Sequence, residues 1–132
     1  MTFLGVDYGT KRVGLAVSDN AGRLAFPLGV FSNGKDLISS VLRVARERAA
    51  GAVVVGESKD FSMADNPLMG QIRRFKGELE AAGLAVYLEP EFLTTAQAKR
   101  LRGDHDKIDA SAAALILQGF LDKSNMTPIP ES

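Results

Sequence analysis

The chain contains no cysteine, no tryptophan and a single histidine, and its charges cancel. Each shortage closes a class of chemistry. Without cysteine there is no disulfide framework and no thiolate metal site. With one histidine, a zinc hydrolase built on nitrogen and sulfur ligands is a poor fit. The formal charge of zero, from 16 Lys+Arg against 16 Asp+Glu, lends a polyanionic partner no support, so only local clusters could meet one. Such clusters exist at Lys11-Arg12, at Arg73-Arg74 with Lys76, and at Lys99-Arg100 with Arg102, although each also fits a solvated helix face. No apolar run approaches the roughly 20 residues needed to span a bilayer. The N-terminus enters a strand-like pattern with no leader-like basic region, apolar core or cleavage site. These absences point to a cytoplasmic protein without a membrane partner.

What is present suits one ordinary globule, with 45% apolar and 24% charged residues over 132 positions. A chain near this length hides roughly 68% of its unfolded surface, enough for a core without staples. The pattern predicts a single domain over 1–123 and a short polar tail over 124–132. Phe3–Asp7 and Val13–Ser18 read as strands around a Gly-containing turn. Arg23–Ser32 alternates as a third strand, and Pro27 places it at a sheet edge. Asn33-Gly34 breaks the chain. Lys35–Ala50 carries a helical stripe of Leu37, Ile38, Val41, Leu42, Ala45 and Ala49, with Gly51 expected to end it. Ala52–Gly56 is wholly apolar, as a strand buried on both faces would be. Asn66-Pro67 starts a helix that stops near Gly83. Leu84–Leu88 reads as a strand, Thr94 or Thr95 as the cap of a short helix ending near Arg102, and Asp106 as the start of the last helix. The order β-β-β-α-β-α-β-α-α predicts an α/β fold: a mixed five-stranded sheet with helices on both faces. Right-handed crossovers put the Ala52 strand beside the first strand and the Leu84 strand beyond it.

Three acids share a position type. Asp7, Glu57 and Glu91 each lie at or just past the carboxyl end of an expected strand, the edge where open α/β sheets bind ligands. Asp109 lies within about 40° of Ala113, Ile116 and Phe120 at about 100° per residue, so it heads a stripe aimed at the sheet. Asp106 and Asp109 also fit a capping pair. Gathered carboxylates raise one another's pKa unless a cation offsets them. Hard divalent ions take such oxygen ligands, and two of them about 4 Å apart suit phosphodiester hydrolysis. The turn Gly9, Thr10, Lys11 and Arg12 brings amides and cations beside Asp7, which suits a phosphate and equally suits a plain tight turn.

With these residues in view, the chain resembles the YqgF/RuvX family of the RNase H-like nuclease superfamily, from Phe3 to Asp122. The resemblance rests on three blocks: Gly5-Val-Asp7-Tyr-Gly9-Thr-Lys11-Arg12-Val-Gly14 continuing to Asp19, Glu91-Phe-Leu93-Thr94-Thr95, and Lys107-Ile-Asp109-Ala continuing to Leu121. It implies an RNase H-like fold and a metal-dependent nuclease using Mg²⁺ or Mn²⁺, with a two-metal site. Asp7, Glu91 and Asp109 match the family's acidic triad. The implied partner is structured RNA, the 5′ end of pre-16S ribosomal RNA, with branched DNA as the alternative of a Holliday junction resolvase. The chain departs from the family at Pro90 and Phe92, which replace the usual Asp and Arg, and in the shortened segment between Ala98 and Lys107. Where the family continues Leu-Pro after Val55-Gly56, this chain has Glu57, either a supplementary metal ligand or an exposed loop residue, with the loop reading favoured. A non-catalytic RNA-binding module of ribosome assembly is a third reading, supported by the changes around Glu91. The Asp7 turn also resembles the first phosphate loop of sugar-kinase and actin-like ATPases, but no second phosphate loop follows. Monomer and homodimer are both compatible with the sequence.

Overall fold

The computed structural model describes residues 1–57, 67–90 and 105–126. Five strands form one sheet: β1 Thr2–Tyr8, β2 Arg12–Ser18, β3 Ala25–Ser32, β4 Ala50–Glu57 and β5 Ala85–Pro90. The helices are α1 Leu37–Glu47, α2 Pro67–Ala81 and α3 His105–Met126. The strand order is β3-β2-β1-β4-β5, antiparallel through the first three and parallel from β1 to β5. This is the order that right-handed crossovers require. The expected short helix after Thr94 lies outside the described residues.

Alternation along β1 builds two cores. Leu4, Val6 and Tyr8 face one side, where they join Val53, Val55, Val41, Ile72 and Phe75 under α1 and α2. Phe3 faces the other side, with Val54, Ala113, Ile116, Leu117 and Leu121 beneath α3. A central strand buried on both faces must be apolar on both, which is why β4 reads Ala-Val-Val-Val without polar alternation. Gly5 lies directly below α3. A Cβ there would sit 2.7 Å from Leu117 Cβ and 2.9 Å from the Ala113 carbonyl, so the helix lies closer to β1 than any side chain would allow.

Several boundaries differ from the sequence expectation. Helix α1 ends at Glu47 rather than Gly51, and Ala49 makes the reversal at φ 53° with its amide on the Arg46 carbonyl. Gly51 belongs to β4, where the Met1 side chain occupies the space a Cβ would need. At the other end, α3 runs through Met126 instead of giving way to a tail at Ser124. Asn125 holds it there, donating through Nδ2 to the carbonyls of Leu121 and Gly22. Strand β3 is the expected edge strand, and Pro27 sits at a register shift opposite Ala16, where a missing N–H does least harm.

Helix α3 runs against the direction of β1. Its early residues Ala110 and Ser111 lie near Arg12 and Ser32, at the carboxyl end of β1. Further along, Gln118 accepts from the Ala25 amide and donates to the Arg23 carbonyl, and Asn125 reaches Gly22, at the opposite end. The beginning of α3 therefore stands at the same sheet edge as Asp7.

Candidate active site at the carboxyl end of the sheet

Asp7 is the last residue but one of β1, paired with Gly14 of β2, and it is half-buried. By alternation it shares a face with Phe3 and Gly5, the face that α3 covers. Its position at the central strand's end fixes the backbone from both sides, since β1 has β2 and β4 as neighbours. Tyr8, facing the other way, packs on Phe75 with ring centroids 5.0 Å apart.

The turn after Asp7 is held by three hydrogen bonds. The Gly9 amide donates to the Arg12 carbonyl at 3.0 Å. Asn33 donates twice, from its backbone amide to the Lys11 carbonyl at 2.9 Å and from Nδ2 to the Gly9 carbonyl at 2.7 Å. A Cβ on residue 9 would sit 2.6 Å from the Arg12 carbonyl, so the turn closes only on glycine. Thr10, Lys11 and Arg12 are exposed at its tip. Arg12 also lines an open hollow of about 550 Å³ between β3 and α3, with Leu28, Phe31, Ser32, Ala110 and Ser111. On the far face a polar hollow of about 520 Å³ is lined by Tyr8, Asn33, Lys35, Gln71 and Arg74 among others.

The expected site residues fall unequally across this geometry. Asp7 and the turn Gly9–Arg12 are together at one edge. Asp109 belongs to α3, one turn before Ala113, whose carbonyl overlies Gly5; its side chain lies outside the described residues. Glu91 follows Pro90, the last residue of β5, and lies outside them as well. Glu57 is not a loop residue: it ends β4, half-buried and paired in register with Pro90. It has the parity of Val53 and Val55, which pack under α1 and α2, the face opposite Asp7. Among the described residues no three acids or histidines gather where one ion could be held.

Three polar residues to which the sequence reading gave no role tie loops and helix to the sheet. Asn33 clamps the turn. Glu89, buried in β5 on the α3 side, pairs with Lys123 of α3. Asp19, at the end of the first motif block, accepts the Arg23 amide at 2.8 Å and the Leu24 amide at 3.3 Å. The Arg23 amide is the main reason its carboxyl is held below the usual carboxylate range. Glycine spacing signalled the loop, but nothing local marks which acid or amide ties it.

Comparison with known proteins agrees with this architecture. Residues 1–123 match the family model described as RuvX, Holliday junction resolvase. The chain is 37% identical to a protein of Nitratidesulfovibrio vulgaris (strain DSM 19637 / Miyazaki F) named "Putative pre-16S rRNA nuclease", covering 97% of this chain and 99% of that one. It is 36% identical to the protein of the same name from Bordetella petrii, covering 92% and 95%. The chain belongs to the RuvX family. Among solved structures, Thermus thermophilus RuvC in complex with a Holliday junction substrate superposes with a TM-score of 0.61 at 21% identity, covering 96% of this chain and 98% of that one. At that identity the likeness shows the fold alone, which is RNase H-like. Membership of the RuvX family makes the chain a nuclease, a hydrolase of phosphodiester bonds whose partner is nucleic acid. No helix among the described residues is long and apolar enough to cross a membrane.

Proposed function

We propose that this nuclease depends on a divalent metal and trims structured RNA in the cytoplasm, most specifically the 5′ end of the pre-16S ribosomal RNA, the substrate named for its relatives. The observation that carries the reading is Asp7. It stands at the carboxyl end of the central strand, on the face covered by α3, beside a basic turn fixed by three hydrogen bonds. The donor chemistry fits a hard cation, since the candidate ligands are all carboxylates and the chain has no thiol. Asp7, Glu91 and Asp109 would hold Mg²⁺ or Mn²⁺. Such a cation, when bound, supplies Lewis acidity at the scissile phosphate and lowers the pKa of an attacking water. The chain's own part is to hold the phosphate and exclude misalignment. Lys11 and Arg12 offset the phosphate charge, while the amides of Thr10 and Lys11 form the donor surface that anions favour; the Gly9 amide, expected to join them, is taken up by the Arg12 carbonyl.

The family description also names Holliday junctions, which favours a second substrate, four-way DNA. The test is cleavage of end-labelled pre-16S RNA ends and four-way DNA in Mg²⁺ and in Mn²⁺, with wild-type and Asp7→Asn proteins. Metal-dependent cutting of RNA that disappears in Asp7→Asn is the expected result. Symmetric cutting of the junction alone would transfer the assignment to resolution. Binding without cutting by either protein would overturn the catalytic reading.

A further inference from the structure

We propose that Asn33 is a positioning residue for phosphate binding: it fixes the Gly9–Arg12 turn in a shape that turns the carbonyls of Gly9, Lys11 and Arg12 away from a substrate phosphate and leaves the amides of Thr10 and Lys11 to meet it. The inference rests on the reading of that turn as the phosphate-binding element. Asn33 lies 24 residues beyond Gly9, just past the end of β3, so no local rule connects them. Its two donated bonds take up the carbonyls of Gly9 and Lys11, and the Gly9 amide takes up the carbonyl of Arg12. Three acceptor oxygens that would repel an anion are thereby turned inward and satisfied. At the tip, the amides of Thr10 and Lys11 donate to no described group. Amides left over in this way are the material of an anion-binding concavity.

The chemistry at position 33 is restrictive. The bond to the Gly9 carbonyl needs a side-chain N–H donor at this reach. Aspartate has the same shape but only acceptor oxygens when ionised, so it would face the carbonyl with repulsion. A residue that merely ended β3 would carry no such restriction. Asn33 is half-buried, and its backbone bond survives any substitution except proline, so the fold can tolerate its replacement.

The test measures binding in the Asp7→Asn background, which isolates affinity from cleavage. A fluorescent pre-16S RNA end is titrated across salt concentrations with Asn33→Ala, Asn33→Asp, Lys11→Ala and the Asn33→Ala/Lys11→Ala double variant. Asn33→Ala is expected to weaken binding about 10-fold, the scale of one well-placed hydrogen bond. Asn33→Asp should weaken it further. Losing one phosphate contact should lower the salt slope by about 0.7. Because Asn33 acts through the turn, the double variant should bind little worse than the weaker single variant. Effects that multiply in the double variant would overturn the proposal. Amide hydrogen exchange provides an independent arm. The Gly9 amide should exchange at least several-fold faster in Asn33→Ala while the amides of Val53–Val55 stay protected. Unchanged exchange at Gly9 together with unchanged affinity would sink the proposal and leave the nuclease reading standing. Faster exchange at Gly9 in a parent protein that binds no nucleic acid would instead remove the phosphate-binding reading.

Discussion

Replacing Gly5 by alanine tests whether packing and site geometry are coupled. The new Cβ would lie 2.7 Å from Leu117 Cβ and 2.9 Å from the Ala113 carbonyl, against about 3.5–4.0 Å for an ordinary carbon contact. One of these partners is backbone and the other is the first side-chain atom, so no rotamer change relieves the clash. Helix α3 must retreat from β1 by about 1 Å. Overpacking of this kind costs about 1–3 kcal/mol, and at this chain length the melting temperature should fall by roughly 4–12 °C. Leu117→Ala should not rescue it, because alanine keeps the offending Cβ. The same retreat moves the part of α3 that precedes Ala113 away from the edge that holds Asp7. Misplacement by 1 Å can cost about 10²-fold in rate. Calorimetry and RNA cleavage on Gly5→Ala give the answer together. An unchanged melting temperature would refute the contact. A lowered melting temperature with full activity would refute the claim that α3 carries part of the site.

Asp19 predicts a pH dependence. Its folded pKa is depressed, so its stabilisation is present above the unfolded value of about 3.9 and is lost as pH falls through the lower folded value. The melting-temperature gap between wild type and Asp19→Asn should therefore be constant from neutral pH to about 5 and narrow as the pH falls below about 4; a gap that does not narrow on acidification would refute it. Lys123 predicts a stability loss. Lys123→Met leaves the buried Glu89 without its cation, and since the lysine is itself largely exposed, the cost should sit near about 1 kcal/mol. Urea denaturation should show that loss, and adding Glu89→Gln should recover part of it; no change in the single variant would mean that solvent already serves Glu89.

Most of the sheet was legible in the sequence because strand order follows from two general constraints, tight β-turn-β connections and right-handed crossovers. Both act on patterns visible over a few residues. The errors came from contacts between distant residues. Gly51 looked like a helix stop because glycine usually supplies the left-handed residue there, yet Ala49 supplies it and Gly51 instead makes room for Met1. The end of α3 looked like a tail because Ser124 and Asn125 are polar, yet Asn125 is spent on the Gly22 carbonyl. At the site, Asp7 and its turn were legible because strand, acid, glycine and cations are contiguous. Asn33 was not, since its partners lie across a hairpin and a strand.

Glu57 shows how far strand parity can sort candidate ligands. In sequence it stands level with Asp7 and Glu91, an acid at the end of a strand. In β4 it remains in the ladder opposite Pro90, so the alternation that sends Val53 and Val55 under α1 and α2 applies to it as well. Asp7 follows Phe3 and Gly5 to the α3 face. Two carboxylates on opposite faces of one sheet have the backbone layer between them and do not share an ion's coordination shell. Glu57→Gln is therefore expected to leave metal-dependent cleavage within about two-fold of wild type, the range of ordinary substitutions away from a site. Asp7→Asn, by contrast, should abolish it. The measurement is the cleavage rate across a Mg²⁺ titration. A rightward shift of the metal dependence in Glu57→Gln would refute the parity argument and place a ligand on the α1/α2 face.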